Sequence, residues 1–171
     1  MNVKLQAIFA RRSVRRFLDC PVEESHERDL LEAAMAAPSA CGKDPWRFFV
    51  VRSKPSLKEI AAALPNGGFL AEAPLGLMVC GDLEHAHAGE LSYLLQDCSA
   101  AIENILLAAA MLGLGACWLG VHPREDRVDF MRRFFQLPDS VVPVGAIAIG
   151  WPVETPAPRT RFNPDFVHRH H

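Results

Sequence analysis

Four arginines and a hydroxyl crowd into the run Arg11-Arg12-Ser13-Val14-Arg15-Arg16-Phe17. Guanidinium forks bind phosphate oxygens in bidentate pairs, so such a run can recognise a phosphate. A solvated basic turn reads equally well from these residues alone. A second segment, Ala36-Ala37-Pro38-Ser39-Ala40-Cys41-Gly42-Lys43-Asp44-Pro45-Trp46-Arg47-Phe48, is rich in small residues. A loop of that composition lets a flat ligand approach backbone amides. Cys41 is a nucleophile by type, but no histidine stands near it in sequence to activate it. A third segment, Gly113-Leu114-Gly115-Ala116-Cys117-Trp118-Leu119-Gly120-Val121, is not a dinucleotide fingerprint. It lacks the third glycine at the required spacing and ends a helix rather than opening one. It serves either close packing of helix on strand or a backbone edge facing a ligand ring. Arg159-Thr160-Arg161-Phe162, in a proline-rich tail, is ordinary surface sequence taken alone.

Other groups with chemical potential are less organised. His85 and His87 alternate in a loop, and His168, His170 and His171 end the chain, with no companion ligand set that would make a metal site. Asp97 and Glu103 lie on an apolar helix, where hydrogen-bonded structural or interface roles fit better than catalysis.

The elements that must position these residues follow from periodicity and punctuation. Asn2 can cap a helix running to about Ala10. Residues 23–37 carry Leu30, Leu31, Ala34 and Met35 at helical spacing, and Pro38 stops that helix. Residues 46–51 are aromatic and β-branched, hence a strand. Pro55 opens a helix through Leu64, Asn66-Gly67-Gly68 is a turn, and residues 75–80 form a second strand. The longest helix, residues 89–112, is rich in small residues and poor in charge, which predicts burial on nearly all sides. Gly113 and Gly115 end it. A strand over 116–121, a helix from Pro123 through Phe135 and a fourth strand over 141–151 complete the pattern. Pro152, Pro156, Pro158 and Pro164 deny the last twenty residues a regular element, and Phe162 and Phe166 favour a tail that wraps another surface. Mixed helices and strands of this kind predict a layered α/β sandwich.

Bulk properties bound the function. The chain has 171 residues, half of them hydrophobic and 22% charged, which predicts one globular domain with a substantial core. A formal net charge of -2 argues against nucleic acid or an anionic membrane as partner. Residues 105–121 are apolar, yet glycines interrupt them and they fall short of the ~20 residues a span requires. Cys20, Cys41, Cys80, Cys98 and Cys117 are odd in number and never at C-x-x-C spacing, so free thiols in a reducing cytoplasm are expected. The N-terminus lacks the apolar core of a secretory signal; its basic amphipathic character reads as a short helix and a basic loop rather than an import sequence.

Five pieces in order carry a resemblance that covers essentially the whole chain. They are the Arg-Arg-Ser-x-Arg-x-Phe start, the Pro-Ser-x-x-x-x-x-Pro-Trp loop, the helix Gln96-Asp97-Cys98-Ser99-Ala100-Ala101-Ile102-Glu103-Asn104, the Leu-Gly-x-Gly-Ala-x-Trp-Leu-Gly segment, and Arg-x-Arg-Phe near the end. Together they resemble the compact branch of the nitroreductase family of flavoenzymes. The resemblance implies an α+β fold, a three-layer α/β/α sandwich with a central mixed sheet flanked by helices. It implies a cytoplasmic homodimer with FMN at the subunit interface. NADH or NADPH would reduce the flavin, leave, and be replaced by a nitroaromatic, a quinone or a similar acceptor, in a ping-pong cycle. The alternative within the resemblance is a divergent member with flavin-consuming or dehalogenating activity, and a non-catalytic flavin-binding protein is an alternative from another class.

Residue by residue, the resemblance places Arg11 and Ser13 on the FMN phosphate, joined from the tail by Arg161 and Arg159, with Arg12 nearby. Arg15 would face the N1/C2 carbonyl edge of the isoalloxazine, where negative charge collects on reduction. Pro38, Ser39 and Ala40 would touch flavin held mainly by the other subunit. Leu119 and Gly120 would line the ring near N5. No protein acid, base or nucleophile is required, because the flavin carries the chemistry. Two positions depart from the pattern: the family loop commonly reads Asn-x-Gln-Pro-Trp, whereas this chain has Gly42-Lys43-Asp44-Pro45-Trp46, with Gly42 and Asp44 in place of the amides. Family-typical affinity and substrate preference are therefore not carried over.

Overall fold

In the computed structural model, which describes residues 2–170, the aromatic and β-branched run at 46–51 forms β1 (Trp46–Val51). Met1 and His171, the last of the C-terminal histidines considered above, lie outside the described residues. The other strands are β2 (Leu75–Asp82), β3 (Gly115–Gly120) and β4 (Val141–Gly150). They form one sheet in the order β1-β2-β4-β3. Every residue of the two central strands, β2 and β4, is buried.

Alternation along these strands divides the core in two. Leu75, Leu77 and Val79 with Ile147 and Ile149 face one way; Met78 and Cys80 with Ala146 and Ala148 face the other. The first face is covered by α2 (Glu24–Met35), through Leu30 and Ala34, and by α4 (Leu91–Met111), through Leu94, Cys98, Ala101, Ile102 and Ile105. The second is covered by α3 (Lys54–Ala62), through Leu57, Ile60 and Ala61, and by α5 (Glu125–Phe135), through Met131. The result is the expected α/β/α sandwich. Helix and sheet approach closely where glycine permits it: a Cβ on Gly76 would come within 2.7 Å of Leu57 Cδ2.

Four details differ from the sequence reading. The sheet expected to be mixed is antiparallel in all three of its ladders. Its parallel component is a single bridge between Ser13 and Ala116, outside the named strands. Val14 dives into the core there, so close to Gly115 that a Cβ on the glycine would stand 2.6 Å from Val14 Cγ1. The N-terminal helix is split: Asn2 caps a 3-10 turn through the N–H of Lys4, and only α1 (Gln6–Ala10) is α-helical. The tail holds one short 3-10 turn, Pro164–Phe166, capped by Asn163. Finally, α4 is not buried on nearly all sides within one chain. Its buried stripe recurs at helical spacing, but Glu103, Leu107 and Ala108 are half-buried and Met111 is 73% exposed. By length and composition this helix could cross a membrane; in the fold its apolar stripe packs against α2 and the sheet.

Candidate functional site

The basic run is held in extended form along the edge of the sheet. Arg11 leaves α1 with φ -61° and ψ 120°, and the Val14 N–H donates to the Ala116 carbonyl at 3.0 Å. Successive side chains of an extended segment point to opposite sides. With Val14 directed into the core, Ser13 and Arg15 are left exposed together. The chain then returns. Leu18 N–H donates to Trp151 O at 2.8 Å, Val153 N–H to Arg16 O at 3.1 Å, and Arg159 N–H to Phe9 O at 3.1 Å. The Arg12 guanidinium also donates to the Ala157 carbonyl. These contacts lay the proline-rich tail back over α1 and the basic run.

A cavity of about 490 Å³ results, walled by Ile8, Phe9, Arg11, Arg12, Ser13, Arg15, Arg159, Thr160 and Arg161. Two segments 150 residues apart in sequence thus contribute five guanidinium groups to one concavity. Glu103 takes Arg11, with Nε to Oε1 at 3.2 Å. Among the described residues no carboxylate pairs with Arg12, Arg15, Arg159 or Arg161. Like charges gathered without counterions call for an anion.

Arg15 is also part of the wall of a second cleft of about 210 Å³, which has Leu64, Asn66, Phe69, Cys117, Trp118, Leu119, Gly120 and Arg127 around it. Its guanidinium carbon lies 5.7 Å from the centroid of the Phe69 ring, a cation–π distance. The Asn66-Gly67-Gly68 turn closes on β3 because Gly67 has no side chain: a Cβ there would stand 2.8 Å from Leu119 Cδ2. Leu119 itself is buried, so its side chain belongs to the second core cluster. Gly120 is different. A Cβ at this position would meet nothing within 4 Å, and its carbonyl accepts from Arg127 Nη1 at 2.7 Å. Burial pushes the Cys117 thiol up, although Arg15, the Ser13 hydroxyl and Arg11 all pull it the other way.

Pro38, Ser39 and Ala40 are not brought to either cavity of their own chain. Their loop is fastened to α4, where Asp97 Oδ1 accepts from the Ala40 N–H at 2.9 Å. Ser39 Oγ donates to Asp44 Oδ1 at 2.5 Å and accepts from the Asp44 N–H at 3.0 Å. The residues that depart from the family pattern therefore close the loop on itself. Cys41 is exposed within this loop and has no hydrogen-bonding histidine among the described residues. His85 instead lies 2.9 Å from Asp82, and His87 packs edge-on against Tyr93.

Phe69 and Arg127 are wall residues that the sequence does not single out, whereas Trp118 and Asn66 lie in segments named above without a role in the site. Asn66 belonged to a recognised turn. Arg127 carries no signal that sets it apart from the other charges of α5.

The sequence model of the nitroreductase family matches residues 8–67 and 54–151. The chain belongs to the nitroreductase family. It is 45% identical over 166 residues to a Methanothermobacter thermautotrophicus protein named "Putative NADH dehydrogenase/NAD(P)H nitroreductase", covering 96% of this chain and 85% of that one. A crystal structure of a protein of the same name from Parabacteroides distasonis superposes with a TM-score of 0.92 at 36% identity, covering 100% of this chain and 99% of the other. An FMN-dependent nitroreductase from Clostridium difficile superposes with a TM-score of 0.89 at 28% identity, covering 98% and 99%. The family match takes in the strands and the cavity-forming basic run, and the likeness to the Parabacteroides distasonis structure continues through the tail.

Proposed function

We propose that this nitroreductase is an FMN-dependent NAD(P)H oxidoreductase that acts as a cytoplasmic homodimer of single-domain subunits. The observation that carries the reading is the arginine-walled cavity joined through Arg15 to a cleft with an open backbone at Gly120. A phosphate suits the first and a flat ring the second. FMN held there would supply two-electron chemistry between NADH or NADPH and a nitroaromatic, a quinone or a similar acceptor.

The protein's part is binding and electrostatics. Arg11, Ser13, Arg159 and Arg161 hold the phosphate. Arg12 supports them by tying the tail down at Ala157. Arg15, braced on Phe69, offers positive charge to the N1/C2 edge of the ring. Gly120 and the Leu119 backbone admit the ring edge near N5. Reductant and acceptor would then use one site in turn, and the expected kinetics are ping-pong. Initial rates at several NAD(P)H concentrations against a quinone give parallel double-reciprocal lines on this reading. Protein that retains flavin but supports no steady NAD(P)H oxidation with any such acceptor overturns the enzymatic assignment.

Three features support the homodimer. The outer side of α4 is only half-buried. Phe162 and Phe166 stand 74% and 79% exposed on the tail, which suits a tail lying on the partner. The Pro38–Ser39–Ala40 loop lines neither of the two cavities described above, which suits a contribution to the partner's site. Five free cysteines fit a reducing compartment. Light scattering of the FMN-loaded protein at micromolar concentration should give twice the chain mass. A loaded monomer would contradict the shared site.

A further inference from the structure

We propose that Asp97 is a positioning residue of the flavin site, fixing where the loop from Ser39 to Asp44 stands. The proposal rests on the reading above that Pro38, Ser39 and Ala40 contact flavin. A carboxylate is costly inside an apolar helix, and Asp97 is only 5% exposed among Leu94, Cys98 and Ala101 on the buried stripe of α4. Its Oδ1 accepts from the Ala40 N–H at 2.9 Å, across 57 residues of sequence. Its Oδ2 is buried and has no hydrogen-bond partner among the described residues. Such a group does not help the core as core; replacing it by an apolar residue of similar volume removes a desolvation cost.

What the carboxylate does instead is visible in the loop. Cys41, Gly42 and Asp44 have φ of 53°, 62° and 50°, the left-handed region, which two of these three residue types enter only against resistance from their Cβ. Hydrogen bonds inside the loop hold that shape: Gly42 N–H to Ser39 O, Lys43 N–H to Ala40 O, and the Ser39–Asp44 pair. None of them fixes the loop against the rest of the molecule. Among the described residues the Ala40–Asp97 bond is the one hydrogen bond from residues 39–44 to another element. The shape is local, and the placement depends on Asp97.

The test compares Asp97→Leu and Asp97→Asn with the parent protein. Asp97→Leu fills the volume and removes the buried charge, so it should fold with an unchanged or higher Tm. It leaves the Ala40 N–H without its acceptor, and its FMN dissociation constant should rise about tenfold, with a displaced visible spectrum of the bound flavin. Asp97→Asn keeps an amide oxygen for the Ala40 N–H and should restore affinity to within about twofold, together with the parent spectrum. Parent-like FMN affinity and spectrum in Asp97→Leu would overturn the proposal, as would Asp97→Asn binding as weakly as Asp97→Leu. Arg11→Ala serves as the control on the underlying site. If Arg11→Ala weakens FMN while Asp97→Leu does not, the positioning role alone falls; if neither does, the flavin site itself is misplaced.

Discussion

On the proposed phosphate role, replacing Arg11 by alanine should weaken FMN binding by roughly ten- to a hundredfold, the loss of one charge-assisted phosphate contact worth about 1.5–3 kcal/mol. The fold should survive the change. The Arg11–Glu103 pair joins side chains that are 31% and 47% exposed, and an ion pair of that kind contributes little to stability. Once saturated with FMN, the variant should turn over nearly as the parent does. Arg15→Ala should behave in the opposite way. Arg15 faces both cavities, and its guanidinium is braced by Phe69 beside the cleft assigned to the ring. Its loss removes positive charge from the edge that becomes negative on reduction. The reduction potential of the fully loaded protein should fall by on the order of 30 mV, the two-electron equivalent of about 1.4 kcal/mol. Fluorescence titration with FMN and potentiometry of both saturated variants check the pair. An unchanged potential in Arg15→Ala together with a lowered one in Arg11→Ala would reverse the roles.

The parts of this molecule that sequence foretells are those fixed by local pattern. β1 begins at Trp46 and ends at Val51 as expected, because an aromatic and β-branched run bounded by proline and polar residues has one reading. Apart from the split N-terminal helix, the ends of the other elements lie within two residues of expectation, and two of the shifts have identifiable causes. Ser53 rather than Pro55 sets the start of α3, since its side chain accepts from the Ser56 N–H. The start of α5 shifts from Pro123 to Glu125, with Arg124 as its cap.

Sheet direction and helix exposure were harder because both depend on distant partners. Nothing in residues 11–16 announces that they run parallel to β3 for a single bridge, as that geometry comes from Val14 finding space over Gly115. Small apolar residues on every side of α4 looked like complete burial. They are equally what an interface needs, and the half-buried outer side of α4 has that character. The candidate site divides in the same way. The arginine run and the tail motif are separately ambiguous, and only their meeting through the Phe9–Arg159 and Arg12–Ala157 contacts turns two basic surface segments into one anion cavity. The sequence marks Asp97 as a hydrogen-bonded group on an apolar helix, while its partner, in a loop 57 residues away, is set by the tertiary fold alone.

The role proposed for the five-arginine cavity, holding the phosphate of FMN, is tested most directly by titrating the flavin-free protein with FMN and, in parallel, with riboflavin, which has the same ring and no phosphate. Two or more charge-assisted contacts at about 1.5 kcal/mol or more each predict that FMN binds at least about a hundredfold more tightly. Equal affinity for the two would mean that the cavity does not recognise phosphate, and it would contradict the assignment of Arg11, Ser13, Arg159 and Arg161.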